Sequence, residues 1–375
     1  LAEKPRNGSP MLRIVEVNSW KSLKQFLALP AQIYPSSSPW VPPLTLQTLV
    51  QLGAPRDRDR KLFLCLDDDR VVARLGVKRH GEGEHRKLHF GFFECCEAYP
   101  EAARMLIEEA HQFSPELSLI GPYNFRMEDP YTGVLVEGFE DAPVFWSAYN
   151  PPYYAQYLQD TGLAKVQDLI TYEVSLDTLN QAALERRAGH AKARGIEVTS
   201  LNLKKRVSDL REVAVVMNEA LKDNWGFEPF TEEQVKELAM LSYLFLDPNW
   251  LLLARKEGQI AGCSICLPDY NPWLKESGGR LTPKLLWRLL FRKKELDRVR
   301  AWALGVLPPY RRLFAAPALI WECAEKGRRE GVTSGEVAWI LESNGPMNAM
   351  ARSMGGHPTR VHRVLERPPI QSGLE

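Results

Sequence analysis

Short runs of alternating apolar and polar residues mark the N-terminal half of the chain, with stretches of helical spacing between some of them. Strict alternation is typical of a half-buried strand, whereas apolar residues three and four apart indicate an amphipathic helix. Two apolar runs separated by Asp68 and Asp69 predict a β-hairpin. The expected elements are strands at 12–17, 61–67, 70–78, 88–94 and 117–120, and helices at 20–29 and 101–113.

The C-terminal half repeats this order of elements without repeating the residues. A hairpin is predicted around Lys256, Glu257 and Gly258, and strands then alternate with helices. Because a strand–helix–strand crossover makes its two strands parallel, we expect a mixed sheet flanked by helices in each half. The sequence thus predicts an α/β fold (α+β mixed sheet) of two similar modules, 11–175 and 176–370. The elements expected in the second half are strands at 250–255, 259–267, 298–306, 336–341 and 360–365, and helices at 311–330 and 344–354.

Certain segments carry a more specific pattern. Leu304-Gly305-Val306-Leu307-Pro308-Pro309-Tyr310-Arg311-Arg312, followed by a predicted helix, resembles the central strand and phosphate loop of the GNAT acyltransferases. The segment from Glu336 to Asn344 and the glycines at 355 and 356 resemble their next strand and helix. A bacterial group of tandem GNAT proteins shares further segments with this chain, namely Asn224-Trp225-Gly226-Phe227, Pro268-Asp269-Tyr270-Asn271, Gly121-Pro122-Tyr123-Asn124 and 149–154.

The resemblance implies that the second module binds an acyl thioester, acyl-CoA or acetyl-CoA, as a co-substrate. The central strand would pair with the pantetheine arm, and the N-terminus of the following helix would receive the pyrophosphate, because free N–H groups and the helix dipole favour an anion there. The first module has no such loop and is expected to be a degenerate copy. The implied cofactor-binding residues are Leu304, Gly305, Val306, Arg311, Arg312, Ala315 and Ala316.

Two positions depart from the GNAT pattern. Phe314 replaces the central glycine of the phosphate loop, and its side chain is expected to crowd or redirect a pyrophosphate. Ala351 stands where many of these enzymes have a tyrosine that protonates the leaving thiolate. A general acid typically contributes roughly 10²–10⁴-fold, so its loss must be replaced or tolerated. These departures leave open a protein that binds without catalysing.

The catalytic candidates lie at and after the predicted strand 336–341. Glu336 or Glu342 could act as the general base for an amine, because a carboxylate that enters a covered sheet can acquire a raised pKa. Alternatively, both carboxylates lie in water at the strand ends or form ion pairs. Asn344 is a third candidate, and the cap of the following helix is its simpler interpretation.

The expected substrate-binding residues are mostly aromatic or amide side chains. Each has a structural alternative: Asp269 and Asn271 can form a turn before Pro272, Trp225 and Phe227 can pack in the core, and the tyrosines can fill the seam between modules. The set is Asn224, Trp225, Phe227, Asp269, Asn271, Tyr123, Asn124 and Tyr149.

Charge narrows the possible partners. The 375 residues include 48 Lys+Arg and 47 Asp+Glu, a formal charge of +1, which argues against an overall basic nucleic-acid binder. The segment 280–312 nevertheless has ten basic and two acidic residues, a net +8. This segment is either a solvated face or a site for an anionic partner: CoA phosphates, an acidic carrier protein, or the acceptor stem of a tRNA.

Other function classes find no support in the sequence. The sequence contains no run of about 18 apolar residues, so no membrane span is predicted. The N-terminal residues do not resemble a secretory signal, and we therefore expect a cytoplasmic protein. Six cysteines and seven histidines show no disulfide framework and no metal-ligand spacing, and Cys263 and Cys266 are expected to be small buried thiols. We expect no metal.

The expected function is acyl transfer from acyl-CoA or another thioester to an amine of a small molecule or a peptide. One alternative keeps the fold and uses an aminoacyl-tRNA or a carrier-protein thioester as the donor. Another is a GNAT-fold protein that binds without catalysis.

Overall fold

A computed structural model of the chain describes residues 11–53, 57–126, 130–236, 239 and 246–370. It has a mixed α/β architecture in which helices flank mixed sheets, so the predicted fold class is confirmed. The chain divides into two compact units: Leu1–Leu169, Leu274–Leu281 and Arg360–Glu375 form unit 1, and Ile170–Trp273 and Thr282–Thr359 form unit 2. The predicted bounds, 11–175 and 176–370, concern repeated modules rather than compact units and stay a prediction.

The elements of unit 1 are β1 Leu12–Glu16, α1 Trp20–Ala28, α2 Pro30–Ile33, α3 Thr45–Leu52, β2 Arg60–Asp67, β3 Arg70–His80, β4 Lys87–Cys95, α4 Pro100–Gln112, β5 Leu119–Gly121, β6 Val134–Glu137 and α5 Tyr153–Gln159, with parts of β7 Ala164–Ser175 and β13 His357–Arg367. The unit is built on a sheet of order β1-β2-β3-β4-β5-β13, with β6 also paired to β13. Neighbours are antiparallel except β4 and β5, which are parallel. The apolar face of α4 covers the sheet and buries Leu106 and Ile107 completely.

The elements of unit 2 are α6 Gln181–Ala193, β8 Ile196–Ser200, α7 Arg206–Leu221, β9 Leu251–Lys256, β10 Gln259–Pro268, α8 Asn271–Ser277 (whose end belongs to unit 1), α9 Pro283–Phe291, β11 Arg298–Val306, α10 Ala315–Glu330, β12 Ser334–Leu341 and α11 Gly345–Ser353. The unit contains a sheet of order β12-β11-β10-β9-β8, in which β11 and β12 are parallel and the other pairs antiparallel. Strand alternation directs Gly305 of β11 towards α7 and Val306 towards α10, so helices cover both faces.

Both predicted hairpins are present, and each turns through residues with positive φ: Asp68 in the first, Glu257 and Gly258 in the second. The strand predicted at 298–306 is confirmed with the same bounds. The single helix predicted over 311–330 is wrong in one respect. Residues Pro308–Leu313 form a separate 3₁₀ helix. The α-helix begins only at Ala315, because Phe314 between the two helices has the left-handed conformation.

Candidate active site

The parallel strands β11 and β12 diverge in their second halves. Their register runs from Arg298 opposite Ser334 to Ala301 opposite Val337, although β11 continues to Val306 and β12 to Leu341, all within a fully described part of the chain. On its other side β11 stays paired with β10 as far as Val306. The last part of β11 thus has a backbone edge that β12 does not pair.

A bulge in β11 lies where the divergence begins. Ile265 of β10 pairs with Ala303 and Cys266 with Ala301, so Trp302 is the extra residue of the bulged strand. Bulges of this kind bend a strand and are frequent beside active sites. The bulge therefore marks the start of the opening between β11 and β12.

The N-terminus of α10 follows this opening directly. No side chain caps the helix, and its first turn contains no acidic residue. Arg311 and Arg312, both exposed, precede it, and the Nε of Arg311 donates a 3.2 Å hydrogen bond to the carbonyl oxygen of Val306. Uncapped N–H groups, the helix dipole and two guanidinium groups together make a site that favours an anion.

A third cation lies near this helix start. The pKa of Lys222 is raised, chiefly by its hydrogen bond to Glu219. The nearby charge of Arg311 opposes this rise, which shows that the two cations interact. Lys222 directly follows α7 and its Nζ lies 2.7 Å from the carboxylate of Glu219, so this ion pair adds no net charge near the α10 N-terminus.

Phe314 has φ +62°, the conformation in which a glycine is ordinarily found. Its ring packs on α6 and the residue after it: the ring centroid lies 6.0 Å from that of His190, and the guanidinium carbon of Arg194 lies 5.1 Å from it. The backbone of the predicted phosphate loop thus keeps the expected conformation despite the substitution.

Gly305 allows α7 to cross β11 closely. A Cβ at this position would lie 3.0 Å from Cγ1 of Val216 and 3.1 Å from Sδ of Met217, both on α7. The predicted substrate residues Asn224, Trp225 and Phe227 follow the end of this helix within two turns, and all three are half-buried. They therefore lie just beyond the end of α7, the helix that crosses β11 at Gly305.

Glu336 and Glu342 have different surroundings. Glu336 is 1% exposed and lies opposite Arg300, itself 3% exposed, one pair before the strands diverge. The alternative that Glu336 lies in water is therefore wrong. Glu342 follows the end of β12 and is exposed.

Asn344 caps α11, as its simpler interpretation predicts: its Oδ1 accepts from the Met347 N–H at 3.2 Å. Asn348, which lies one turn later and is 4% exposed, was not predicted from the sequence. Its Nδ2 donates to the carbonyl oxygens of Leu341 and Asn344, each at 2.9 Å, and its Oδ1 accepts from the Tyr172 hydroxyl at 2.9 Å. The one sequence feature that could have indicated Asn348 is its position one helical turn after the capping Asn344.

Ala351 packs in the same cluster as Tyr172 and Ile340 and is 1% exposed. A tyrosine from β7 therefore lies beside the position where the GNAT pattern has one on α11. Its hydroxyl is committed to Asn348 and the side chain is completely buried.

Asp269 and Asn271 form the turn that their sequence predicts. The Asp269 Oδ1 accepts from the Asn271 N–H at 3.1 Å, and both side chains are buried. Their predicted role towards a substrate stays a prediction.

The predicted residues Tyr123, Asn124 and Tyr149 belong to unit 1. There β4 and β5 pair at only two positions, and the chain itself closes the gap: the Asn124 Oδ1 accepts from the Phe92 N–H at 3.1 Å, and Tyr123 N–H donates to the Phe90 carbonyl at 2.9 Å. A Cβ on Gly91 would lie 2.2 Å from the Tyr123 carbonyl oxygen, so these backbones are in direct contact. The Tyr149 hydroxyl donates to the Phe139 carbonyl.

The ten basic residues of 280–312 do not share one surface. Arg300 is buried, Arg298 lies 3.5 Å from the carboxylate of Glu173, and Arg311 and Arg312 belong to the loop before α10. In unit 2 the remaining basic side chains lie on α9, at its C-cap Arg292, and in the 3₁₀ turn Lys293–Glu295 that follows.

The six cysteines are free thiols, as expected, and Cys263 and Cys266 are buried. Within the described residues no cluster of His, Cys, Asp and Glu could hold a metal ion. In the same part of the chain, no helix has the length and hydrophobicity needed to cross a bilayer.

A helix start that favours an anion, preceded by a bulged strand that diverges from its parallel neighbour, is the arrangement that the sequence resemblance to the GNAT class predicts. Residues 215–355 match the model of the acetyltransferase (GNAT) family. The chain thus contains a GNAT acetyltransferase domain, and the resemblance predicted from the sequence is confirmed.

Relatives and solved structures extend the likeness over most of the chain. A protein of Caulobacter vibrioides named bacterial ceramide synthase is 26% identical over 95% of this chain and 97% of its own. A tandem GNAT protein from the clavulanic acid biosynthesis pathway shares the fold over 96% of this chain and all of its own, with 14% identity and a TM-score of 0.54. The glucosamine N-acetyltransferase region of a fungal multidomain β-N-acetylglucosaminidase has a TM-score of 0.60 at 12% identity, over 96% of this chain and 38% of that one.

Proposed function

We propose that the protein is an N-acyltransferase that moves an acyl group from a CoA thioester to an amine. The observation that carries the proposal is the uncapped N-terminus of α10, which follows the diverging part of β11 and is flanked by Arg311 and Arg312. This arrangement supports a donor whose pyrophosphate contacts Ala315, Ala316 and the two arginines. Its pantetheine arm would pair with the free edge of β11 along Leu304, Gly305 and Val306.

The reaction forms a C–N bond and breaks the C–S bond of the thioester. The amine must lose a proton, and Glu336 or Glu342 is the proposed acceptor of that proton. Glu336 is buried close to the divergence of the strands, which favours it over the exposed Glu342. The leaving thiolate of CoA takes a proton from solvent, because Ala351 supplies none.

For the acceptor we propose the amine of a long-chain amino alcohol. This proposal rests on the Caulobacter relative, which matches nearly the whole chain, because a ceramide is the amide of such an amine. The half-buried aromatic side chains of Trp225 and Phe227 offer apolar surface to an acceptor of this kind.

The test is to incubate the purified full chain with a fatty acyl-CoA and sphinganine and to measure the amide by mass spectrometry. We expect amide formation with wild-type protein and its loss in the R311A/R312A variant. R329A is the matched control, since Arg329 is exposed near the opposite end of the same helix, roughly 20 Å away.

Three results would contradict the proposal. Amide formation only from an acyl carrier protein or an aminoacyl-tRNA would replace the donor, and equal activity in R311A/R312A would remove the assigned anion site. Absence of CoA binding by calorimetry, together with no turnover of any thioester, would make the chain a GNAT-fold binding protein.

A further inference from the structure

Helix α9 exposes apolar side chains to solvent. Leu285 and Leu289 fix the helix to unit 2 and are at most 2% exposed. The other apolar residues of the helix point away from these two. Together they form the α9 face, consisting of Leu286, Trp287, Leu290 and Phe291, which are 37%, 48%, 48% and 71% exposed.

The α9 face is a continuous stripe. At 3.6 residues per turn, Leu286 lies above Leu290 and Trp287 lies above Phe291, so the four side chains are neighbours on the helix. Exposed apolar side chains are normal singly, whereas a contiguous group with a polar border marks an interaction surface.

Basic residues border the stripe. Lys284 and Arg288 lie along its edge on the helix, and Lys294 follows its C-terminal end. The Arg292 guanidinium lies 5.3 Å from the Trp287 ring centroid and is ion-paired with Glu295, so the basic border rests mainly on the other three cations. Lys293 turns inward, where its Nζ donates to the Leu246 carbonyl at 3.3 Å. Between Pro283 and Lys294 there is no acidic residue.

We propose that the α9 face docks the protein on the surface of an anionic lipid bilayer. Leucine, tryptophan and phenylalanine side chains flanked by Lys and Arg are the pattern of a helix that lies in the interface, with its apolar residues among the acyl chains and its cations on anionic headgroups. Each basic residue near such a surface strengthens binding to the anionic bilayer.

The bilayer accounts for the α9 face better than a nucleic acid does. Phosphate backbones are bound by cations and polar groups, which leaves Leu286 and Leu290 without a role, since aliphatic side chains do not stack on bases. The nine-residue helix is about 14 Å long, less than half the hydrocarbon thickness of about 30 Å, so it lies on the bilayer rather than across it. The α9 face contains none of the residues assigned to the donor or the acceptor, so its docking role does not depend on the proposed function.

Flotation of the full chain with lipid vesicles tests the proposal. Wild-type protein is expected to float with phosphatidylcholine vesicles that contain phosphatidylglycerol, and to float far less with phosphatidylcholine alone. W287S/F291S is expected to weaken binding about tenfold or more, because two apolar anchors are lost. The control variant is W20S, which is expected to float as the wild type does. Trp20 lies in unit 1, is 62% exposed and, like Trp287, has a cation beside its ring, the Lys24 Nζ at 5.4 Å from the centroid.

A charge variant keeps the test decisive if W287S/F291S fails to fold. K284Q/K294Q is expected to weaken binding to the anionic vesicles about tenfold, and the charge-matched K21Q/K24Q on α1 is expected to leave it unchanged. Equal binding to both kinds of vesicle, or no binding to either, would overturn the proposal. It would also be overturned if the protein bound tRNA or a carrier protein instead of vesicles and the variants weakened that binding.

Discussion

The Nε of Arg311 donates a hydrogen bond to the carbonyl oxygen of Val306, the last residue of β11. This bond joins the end of the diverging strand to the loop that precedes α10. It also orients the guanidinium, whose remaining N–H groups can then bind an anion with less loss of side-chain entropy. Arg312 is exposed, and its charge adds to the same region.

Replacement of Arg311 by alanine is expected to raise the Kd for CoA about tenfold or more, the equivalent of one charge-assisted hydrogen bond. R312A should raise the Kd less, because ordering the exposed Arg312 side chain on the ligand costs more conformational entropy than for Arg311, which the Val306 carbonyl already orients. Isothermal titration calorimetry at fixed salt measures both. An R329A control should bind as the wild type does, and an unchanged Kd in R311A would remove this arginine from the donor site.

Phe314 leads to a second prediction about the same loop. Because its ring packs against His190 and Arg194, we expect F314G to leave the Kd for CoA within about twofold of the wild type. F314L, which keeps a bulky side chain at positive φ, should behave likewise. Tenfold tighter binding by F314G, but not by F314L, would show that the ring obstructs the pyrophosphate as the sequence predicts.

The elements that the sequence predicts correctly are those whose signal is local. The β9–β10 hairpin follows from two apolar runs and a glycine turn, and the strand at 298–306 follows from its own apolar run. The break at Phe314 has no such signal, because a phenylalanine rarely has positive φ and tertiary packing imposes the conformation.

Long-range partners account for the residues that were missed or misplaced. Strand β7 was not predicted, because buried Gln167 and Asp168 interrupt its apolar pattern. One partner of Asp168, Arg363, lies 195 residues away in the chain. The side-chain oxygen of Asn348 likewise accepts its hydrogen bond from Tyr172, 176 residues earlier in the chain. The burial of Glu336 opposite Arg300 depends on strand pairing that composition cannot reveal.

Tyr172 offers a test of whether a buried hydroxyl replaces the missing acid. Its hydroxyl donates to Asn348 and the side chain is completely buried, so we expect a structural role. Y172F should lower the free energy of unfolding by roughly 1–3 kcal/mol, since the Asn348 oxygen loses its donor, and should leave kcat within about twofold. Denaturant titration and steady-state kinetics measure the two effects.

A matched control for Y172F is Y157F, whose lost hydrogen bond to the Glu97 carbonyl is at the surface. Its change in stability should stay within about 0.5 kcal/mol. A fall in kcat of about 10²-fold or more in Y172F, at unchanged stability, would instead identify Tyr172 as the general acid.

The ion pair between Asp168 and Arg363 predicts a pH dependence of stability. The Arg363 Nε and Nη2 donate to the two Asp168 carboxylate oxygens at 2.8 and 3.0 Å, and the Lys165 Nζ lies 2.8 Å from one of them. Burial raises the pKa of Asp168, but the hydrogen bonds from Arg363 and Lys165 outweigh it, and the pKa is lowered. The folded state therefore favours the ionised carboxyl.

A lowered pKa in the folded state stabilises the protein above the unfolded value of about 3.9, and the stabilisation is lost as the pH falls through the folded value. We therefore expect D168N to be less stable than the wild type by roughly 1–3 kcal/mol at pH 7, with a difference that shrinks below about pH 4. Thermal melting across this pH range measures it. D69N, at a fully exposed aspartate, should show no such convergence, and a D168N deficit that persists undiminished at low pH would mean that the loss comes from packing rather than from charge.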